Sequence, residues 1–134
     1  LFAFLLSESN DFFDENKAFV ETFSYDLTRN WRITDVHDRL SNELIKQLDS
    51  IDSQSTISKL SIVGSIREIY DMEMGDYKTT TEGTTGIISF KAKFERAKGV
   101  MTITLLKKDN KVFVHGFHLS VPDGIQDISK INKA

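Results

Sequence analysis

Three histidines, His37, His115 and His118, are the side chains best suited to acid/base or metal work, because an imidazole changes charge near neutral pH. Two of them fall in His115-Gly116-Phe117-His118, a spacing that invites a metal ion. On a strand, however, side chains three apart point to opposite faces and cannot share an ion, so neither a metal site nor a cofactor is expected. His115 shares its parity with Phe113, Phe117 and Leu119, the more apolar set, and reads as a satisfied core or rim histidine ahead of a catalytic one. Asp35-Val36-His37-Asp38 crowds carboxylates and an imidazole into one helical turn, where Asp35 and Arg39 at i+4 read as a surface ion pair. The chain has no Gly-x-Ser-x-Gly elbow, no Gly-x-x-x-x-Gly-Lys phosphate loop and no Gly-x-Gly-x-x-Gly. Acyl transfer and nucleotide chemistry therefore have no support.

Composition narrows the classes further. With 134 residues and 40% hydrophobic content, the chain suits one continuous core. A net charge of -3 argues against a strongly basic nucleic-acid binder, and the absence of Cys removes disulfides, thiolate catalysis and Cys-based zinc sites. The first six residues, Leu1 to Leu6, are wholly apolar and the first is not Met. They are far short of the roughly 20 needed to span a bilayer, but read as the outer end of a signal or anchor segment, or else as a first turn on the core. The domain proper then runs over 11–122, with residues 1–10 as an apolar segment or linker and 123–134 as a tail.

Any site must be positioned by the elements that the apolar spacing dictates. From Asp14 to Trp31, Phe19, Val20, Phe23, Leu27 and Trp31 recur at steps of three and four, the stripe of a helix with an acidic entry at Asp11, Asp14 and Glu15. Thr34 reads as the N-cap of a short helix to Leu40, and Ser41 as a second cap leading into Leu44, Ile45 and Leu48. Residues 50–55 read as a polar connection, and Ile57, Leu60 and Val63 as a third helix stopped at Gly64. Beyond Gly64 the period falls from about 3.6 to 2. Ile66 to Asp76 is strand-like, with Tyr70, Met72 and Met74 on one side, and Lys78 to Gly86 reads as a turn region. Ile88, Phe90, Ala92 and Phe94 form one clean strand face, Met101, Ile103 and Leu105 another, and Asp109-Asn110 turns the chain into Val112 to Val121. The result is an α+β domain, helices first, packed on a curved antiparallel sheet of about four strands.

The long helix ending in Asn30-Trp31, the Leu40-Ser41 and Leu44 segment, Leu60 with Val63-Gly64-Ser65-Ile66, and the closing Lys111-Val112-Phe113-Val114-His115-Gly116-Phe117 carry a resemblance. In this order of elements the chain resembles nuclear-transport-factor-2-like or cystatin-like domains, among them small bacterial domains of unknown function in lipoproteins and membrane-anchored proteins. The resemblance covers nearly the whole chain as an order of elements, without a diagnostic motif. It implies a conical pocket between sheet and helices, which Tyr25, Trp31, Phe90, His115 and Phe117 would line. Members include isomerases, dehydratases, binding proteins and accessory domains, so the fold leaves function open. An acid/base pair in such a pocket would join Asp26 or Tyr25 on the first helix to His115 or Tyr70 on the sheet.

Charge is uneven along the chain. Lys91, Lys93, Arg96, Lys98, Lys107, Lys108 and Lys111 face only Glu95 and Asp109 over residues 91–111, a local +5, whereas residues 1–50 hold ten acids against five bases. This polarity suits a solvated outer face, an acidic partner or a membrane surface. Phe90 and Phe94 point away from Lys91 and Lys93, so a nucleic-acid platform is not expected. The leading expectation is a non-enzymatic accessory domain, periplasmic or extracellular, secreted or tethered upstream of Leu1. It would bind a protein partner or small apolar ligand, with homodimerisation through the outer sheet face compatible with it. The rival is a small isomerase or hydrolyase using His115 with a carboxylate or tyrosine.

Overall fold

Apolar residues recurring every three or four positions make the first half of the chain helical. In the computed structural model, which describes residues 2–49 and 51–121, helix α1 runs unbroken from Phe2 to Asn30. It begins well ahead of Asp14, since Phe, Ala and Leu in the first turns are compatible with helix. Asp11, Asp14 and Glu15 consequently lie inside the helix, and no acid occupies its first turn. Phe12, Val20, Phe23, Leu27 and Trp31 are buried along one stripe, with Asn16, Ser24 and Thr28 interleaved. One of them, Thr28, ties the helix to the sheet. The Thr28 hydroxyl donates to the Ser24 carbonyl at 2.9 Å and accepts the Ile66 N–H at 3.1 Å, joining α1 to the first residue of the sheet.

At its C-terminus α1 stops on Trp31, whose φ of +52° is a conformation usually left to glycine or asparagine. The next stretch is not the α-helix expected from a Thr34 cap. Two single turns of 3-10 helix, Ile33–Asp35 and His37–Arg39, take its place. The β-branched Ile33, Thr34 and Val36 disfavour a continuous α-helix, and the break at Val36 lets both Val36 and Leu40 turn inward. Ser41 does cap α2 (Asn42–Leu48), accepting the Leu44 N–H at 3.2 Å. Most of the connection expected over 50–55 is helix α3 (Ile51–Leu60), because Ser and Asp suit a helix's first turn as well as a loop. A 3-10 turn, Ser61–Val63, then ends at Gly64.

Four strands follow as an antiparallel meander in the order β1-β2-β3-β4: β1 (Ile66–Thr80), β2 (Gly83–Phe94), β3 (Lys98–Lys108) and β4 (Lys111–Ser120). The α+β class, with three α-helices ahead of a four-stranded sheet, agrees with the sequence pattern. Residues 78–86 are mostly strand, with the turn confined to Thr81 and Glu82. Their threonines are β-branched and pair across the ladder, as Thr79 and Thr84 do through hydroxyls 3.2 Å apart.

β1 explains its own mixed pattern. Its register against β2 slips after Ile66, Tyr70 and Met74, so its 15 residues lie against 12. Each slip is a bulge that reverses side-chain parity and adds twist. Ile69, Met74 and Tyr77 therefore oppose the buried Ala92, Ile88 and Gly86, while Tyr70 and Glu73 oppose Lys91 and Ser89 on the outer face. Tyr70 and Met74 do not share a side. The bulges and the charges of Glu68, Asp71 and Glu73 also blunt this edge against pairing with another chain.

The core lies between α1 and the inner sheet face. Phe23, Leu27, Ile88, Phe90, Met101 and Ile103 are all at most 1% exposed. The tail expected over 123–134 lies outside the described residues.

Candidate functional site

The space where a conical pocket was expected is filled by those side chains. Phe90 is core, Trp31 is buried with its indole N–H donating to the Gly64 carbonyl at 2.8 Å, and Phe117 packs against Phe23 with ring centroids 6.4 Å apart. Tyr25 is 37% exposed on the outside of α1. Three of the five residues named as pocket lining thus serve the packing between helix and sheet, and Tyr25 does not face it.

His115 departs from its expected place because β4 carries a bulge. Thr104 pairs with Gly116 but Leu105 pairs with Val114, leaving His115 as the extra residue. Val114, not His115, points into the core and is fully buried. Phe113 pairs with Leu106, which itself pairs with Thr85, on the outer face, whereas Phe117 pairs with the buried Ile103, so Phe113 and Phe117 are on opposite sides despite even spacing. The same bulge undoes the parity argument that separated His115 from His118, although the two imidazoles line different clefts.

The first of these clefts, of about 410 Å³, is bounded by the start of α2, the β1–β2 turn and the adjoining ends of β3 and β4. Leu40, Leu106 and Phe113 supply its apolar surface, and Ser41, Glu43, Glu82, Lys108 and His115 its polar one. Leu40 forms a parallel bridge with Val114, and the Ser41 N–H donates to the Val114 carbonyl at 2.9 Å, which fixes α2's cap beside the bulge. The result is a hydrogen bond between Ser41 Oγ and His115 Nδ1 at 2.8 Å. Sequence reasoning missed this pair. The available signal was Gly116, since an isolated glycine within a strand marks a bulge. A second cleft, also about 410 Å³ and more apolar, runs between α2, α3 and β4, lined by Leu44, Leu48, Ile57, Leu60, Phe117 and Leu119 among others.

The other candidates for acid/base work do not converge on His115. Tyr70 sits on the outer face of β1, at the opposite edge of the sheet, with the Lys93 ammonium 5.7 Å from its ring centre. Asp26 faces Arg39, whose Nη1 lies 2.8 Å from Oδ2, and Arg29 at 3.1 Å. The Arg39 contact is a pairing of charges more than a directional bond, because Nη1 is buried without an aligned acceptor. Asp35 accordingly pairs not with Arg39 but with Arg32, at 3.5 Å.

The Arg39 guanidinium, helped by Arg29 and opposed by partial burial, holds the Asp26 carboxyl below the usual carboxylate range. The backbone N–H and hydroxyl of Ser65 lower Glu95 in the same sense. A carboxylate depressed in the folded state stabilises it above the unfolded-state value and loses that contribution as pH falls through the folded value. Unfolding midpoints in urea should therefore decline as pH drops below about 4. Asp26→Asn should be less stable than the parent at neutral pH and flatten this decline. An unchanged slope in the variant would show that Asp26 contributes nothing to it.

Three of the seven bases in the run meet acids. Lys91 pairs with Asp71 at 3.4 Å, Lys93 with Glu68 at 3.3 Å and Lys107 with Glu15 at 3.8 Å, and Arg96 donates to the Ile62 carbonyl at 3.0 Å. Acids on β1 and α1 thus meet part of the charge that looks unopposed along the sequence. Among the described residues, no three His, Asp or Glu side chains are grouped to hold a metal ion, and no helix is long and apolar enough to cross a membrane. No protein-family model, curated protein or solved structure matches the chain.

Proposed function

We propose that the chain is a non-enzymatic accessory domain of the nuclear-transport-factor-2-like kind, acting outside the cytoplasm, secreted or tethered. It engages a protein partner or small ligand through the clefts flanking β4. The observation that carries this reading is the filled interior: Phe23, Leu27, Phe90 and Met101 occupy the volume in which a pocket enzyme would hold substrate. His115 also pairs with Ser41, which caps α2, while Asp26 is committed to Arg39 and Tyr70 lies at the far edge of the sheet. An isomerase or hydrolyase using His115 with a carboxylate or tyrosine has less to draw on. Apolar side chains such as Leu44, Leu60 and Phe117 around the second cleft offer the kind of surface that anchors a partner.

The test is made on the full-length protein in its own cells. A photoreactive residue at Leu48, in the apolar cleft, is compared with one at Glu21, on the exposed side of α1. One discrete adduct from position 48 alone is expected, together with activity of a reporter enzyme that matures only outside the cytoplasm when fused to the C-terminus. Identical adduct patterns at both positions, or an inactive but expressed reporter, would overturn the partner-binding or the compartment half of the reading respectively.

A further inference from the structure

We infer that the cleft at the His115 bulge binds a free zwitterionic α-amino acid with an apolar side chain, an inference that rests on the binding-domain reading above. At about 410 Å³ the cleft falls within the size range of small-molecule sites. Its lining divides by chemistry. Glu43, in the first turn of α2, and Glu82, in the β1–β2 turn, are acids; Lys108, at the end of β3, is a base; Leu40, Leu106 and Phe113 are apolar.

None of the three charged side chains, all of them exposed, takes part in an ion pair among the described residues. Glu43, Glu82 and Lys108 share one cleft, yet no N···O approach between them comes within 4.0 Å. Opposite charges that line a cavity without closing on one another leave a gap that a molecule carrying both signs can bridge.

His115 adds a donor. Ser41 is 3% exposed, and its Oγ already accepts the Leu44 N–H. Its own proton can go to His115 Nδ1, and in that arrangement a neutral imidazole carries its hydrogen on Nε2. His115, the extra residue of the bulge, lines this cleft along with Lys108, and an imidazole N–H and an ammonium are each donors suited to a carboxylate. The two glutamates suit an ammonium, and Phe113 with Leu40 and Leu106 suits an apolar side chain. An amino acid presents these three groups together. The charges are exposed, so each is screened and the affinity is modest.

The experiment is an amide-resolved NMR titration of the intact chain with L-phenylalanine, 2-phenylethylamine, which lacks the carboxylate, and 3-phenylpropionate, which lacks the ammonium. L-Phenylalanine is expected to shift the signals of Ser41, Glu82, Leu106 and His115 saturably, and each stripped analogue to bind roughly tenfold more weakly. Lys108→Gln should reduce L-phenylalanine to the level of 2-phenylethylamine and leave binding of the latter no weaker. L-Phenylalanine should be recovered unchanged. Absence of saturable shifts, equal binding of all three compounds, or shifts centred away from the cleft would overturn the inference. A position-48 adduct in cells alongside such a failure would leave the accessory reading standing; binding of L-phenylalanine with no adduct would sink only its protein-partner form.

Discussion

Trp31→Ala is expected to cost about 3–5 kcal/mol, a large share of the stability of a domain this size. Three losses coincide at this side chain. Its ring is buried and lies at 28° to Phe94 with centroids 6.5 Å apart, so truncation opens a void between the end of α1 and the end of β2. The Gly64 carbonyl loses the indole N–H, its donor across 33 residues of chain. The φ of +52° stays unfavourable for alanine, now without the contacts that enforce it. Trp31→Phe separates these contributions. It keeps most of the packing and removes the donor, and should cost about 1–3 kcal/mol. Guanidinium unfolding followed by far-ultraviolet circular dichroism measures both, since Trp31 is the one tryptophan and fluorescence would be lost with it. A Trp31→Ala variant within about 1 kcal/mol of the parent would mean that the positive φ and the buried ring are not what holds α1 to the sheet.

The order of elements was legible because burial imposes a period. Phe23, Leu27 and Trp31 at helical spacing and Phe90, Ala92 and Phe94 at strand spacing are all buried, and the change of period at Gly64 coincides with the change of element. Boundaries and faces were less legible, for a local reason. A bulge inserts one residue without altering the composition of a strand, so the three in β1 and the one at His115 move side chains to the other face at points that no residue type marks unambiguously. Threonines posed the complementary problem: clustered with glycine they resemble a loop, whereas across a ladder they extend β1 to Thr80.

The candidate site suffered most from the same effect. The sequence singled out His115 from the other two imidazoles, but its partner Ser41 lies 74 residues away and is fixed only by the Leu40–Val114 bridge, a pairing that no local pattern announces. Phe90 and Trp31 were read as lining because aromatic spacing says which face a residue joins, and not whether that face closes on itself. The size of Phe23, Leu27 and Met101 against the area of a four-stranded sheet decides that question, and it is settled in three dimensions. The charge run shows the same limit: Lys91 and Lys93 find Asp71 and Glu68 across the ladder, 20 and 25 residues away in sequence.

Gly64→Ala should rival Trp31→Ala in effect, since two independent demands meet at that position. The backbone there has φ +87° and ψ −167°, a region that L-residues with a Cβ avoid at a cost of about 1–3 kcal/mol. A Cβ would also stand 2.7 Å from Glu95 Cβ and 2.9 Å from its Oε1, too close for either to remain. Glu95 is no idle neighbour. Its carboxylate accepts the Ser65 N–H at 2.9 Å and the Ser65 hydroxyl at 3.0 Å, its own N–H donates to the Ser65 carbonyl, and the next N–H, of Arg96, donates to Val63. The β2–β3 turn is thereby latched onto the segment that Trp31 also grips from below, and pushing Glu95 aside should loosen both. A double-mutant cycle tells the two demands apart. If the collision dominates, Gly64→Ala should cost less in a Glu95→Gly background, which removes both the Cβ and the carboxylate that the new methyl would meet; if the backbone conformation dominates, the cost should be the same in both. Gly64→Ala folding as stably as the parent in either background would contradict the geometry at the junction where helices give way to strands.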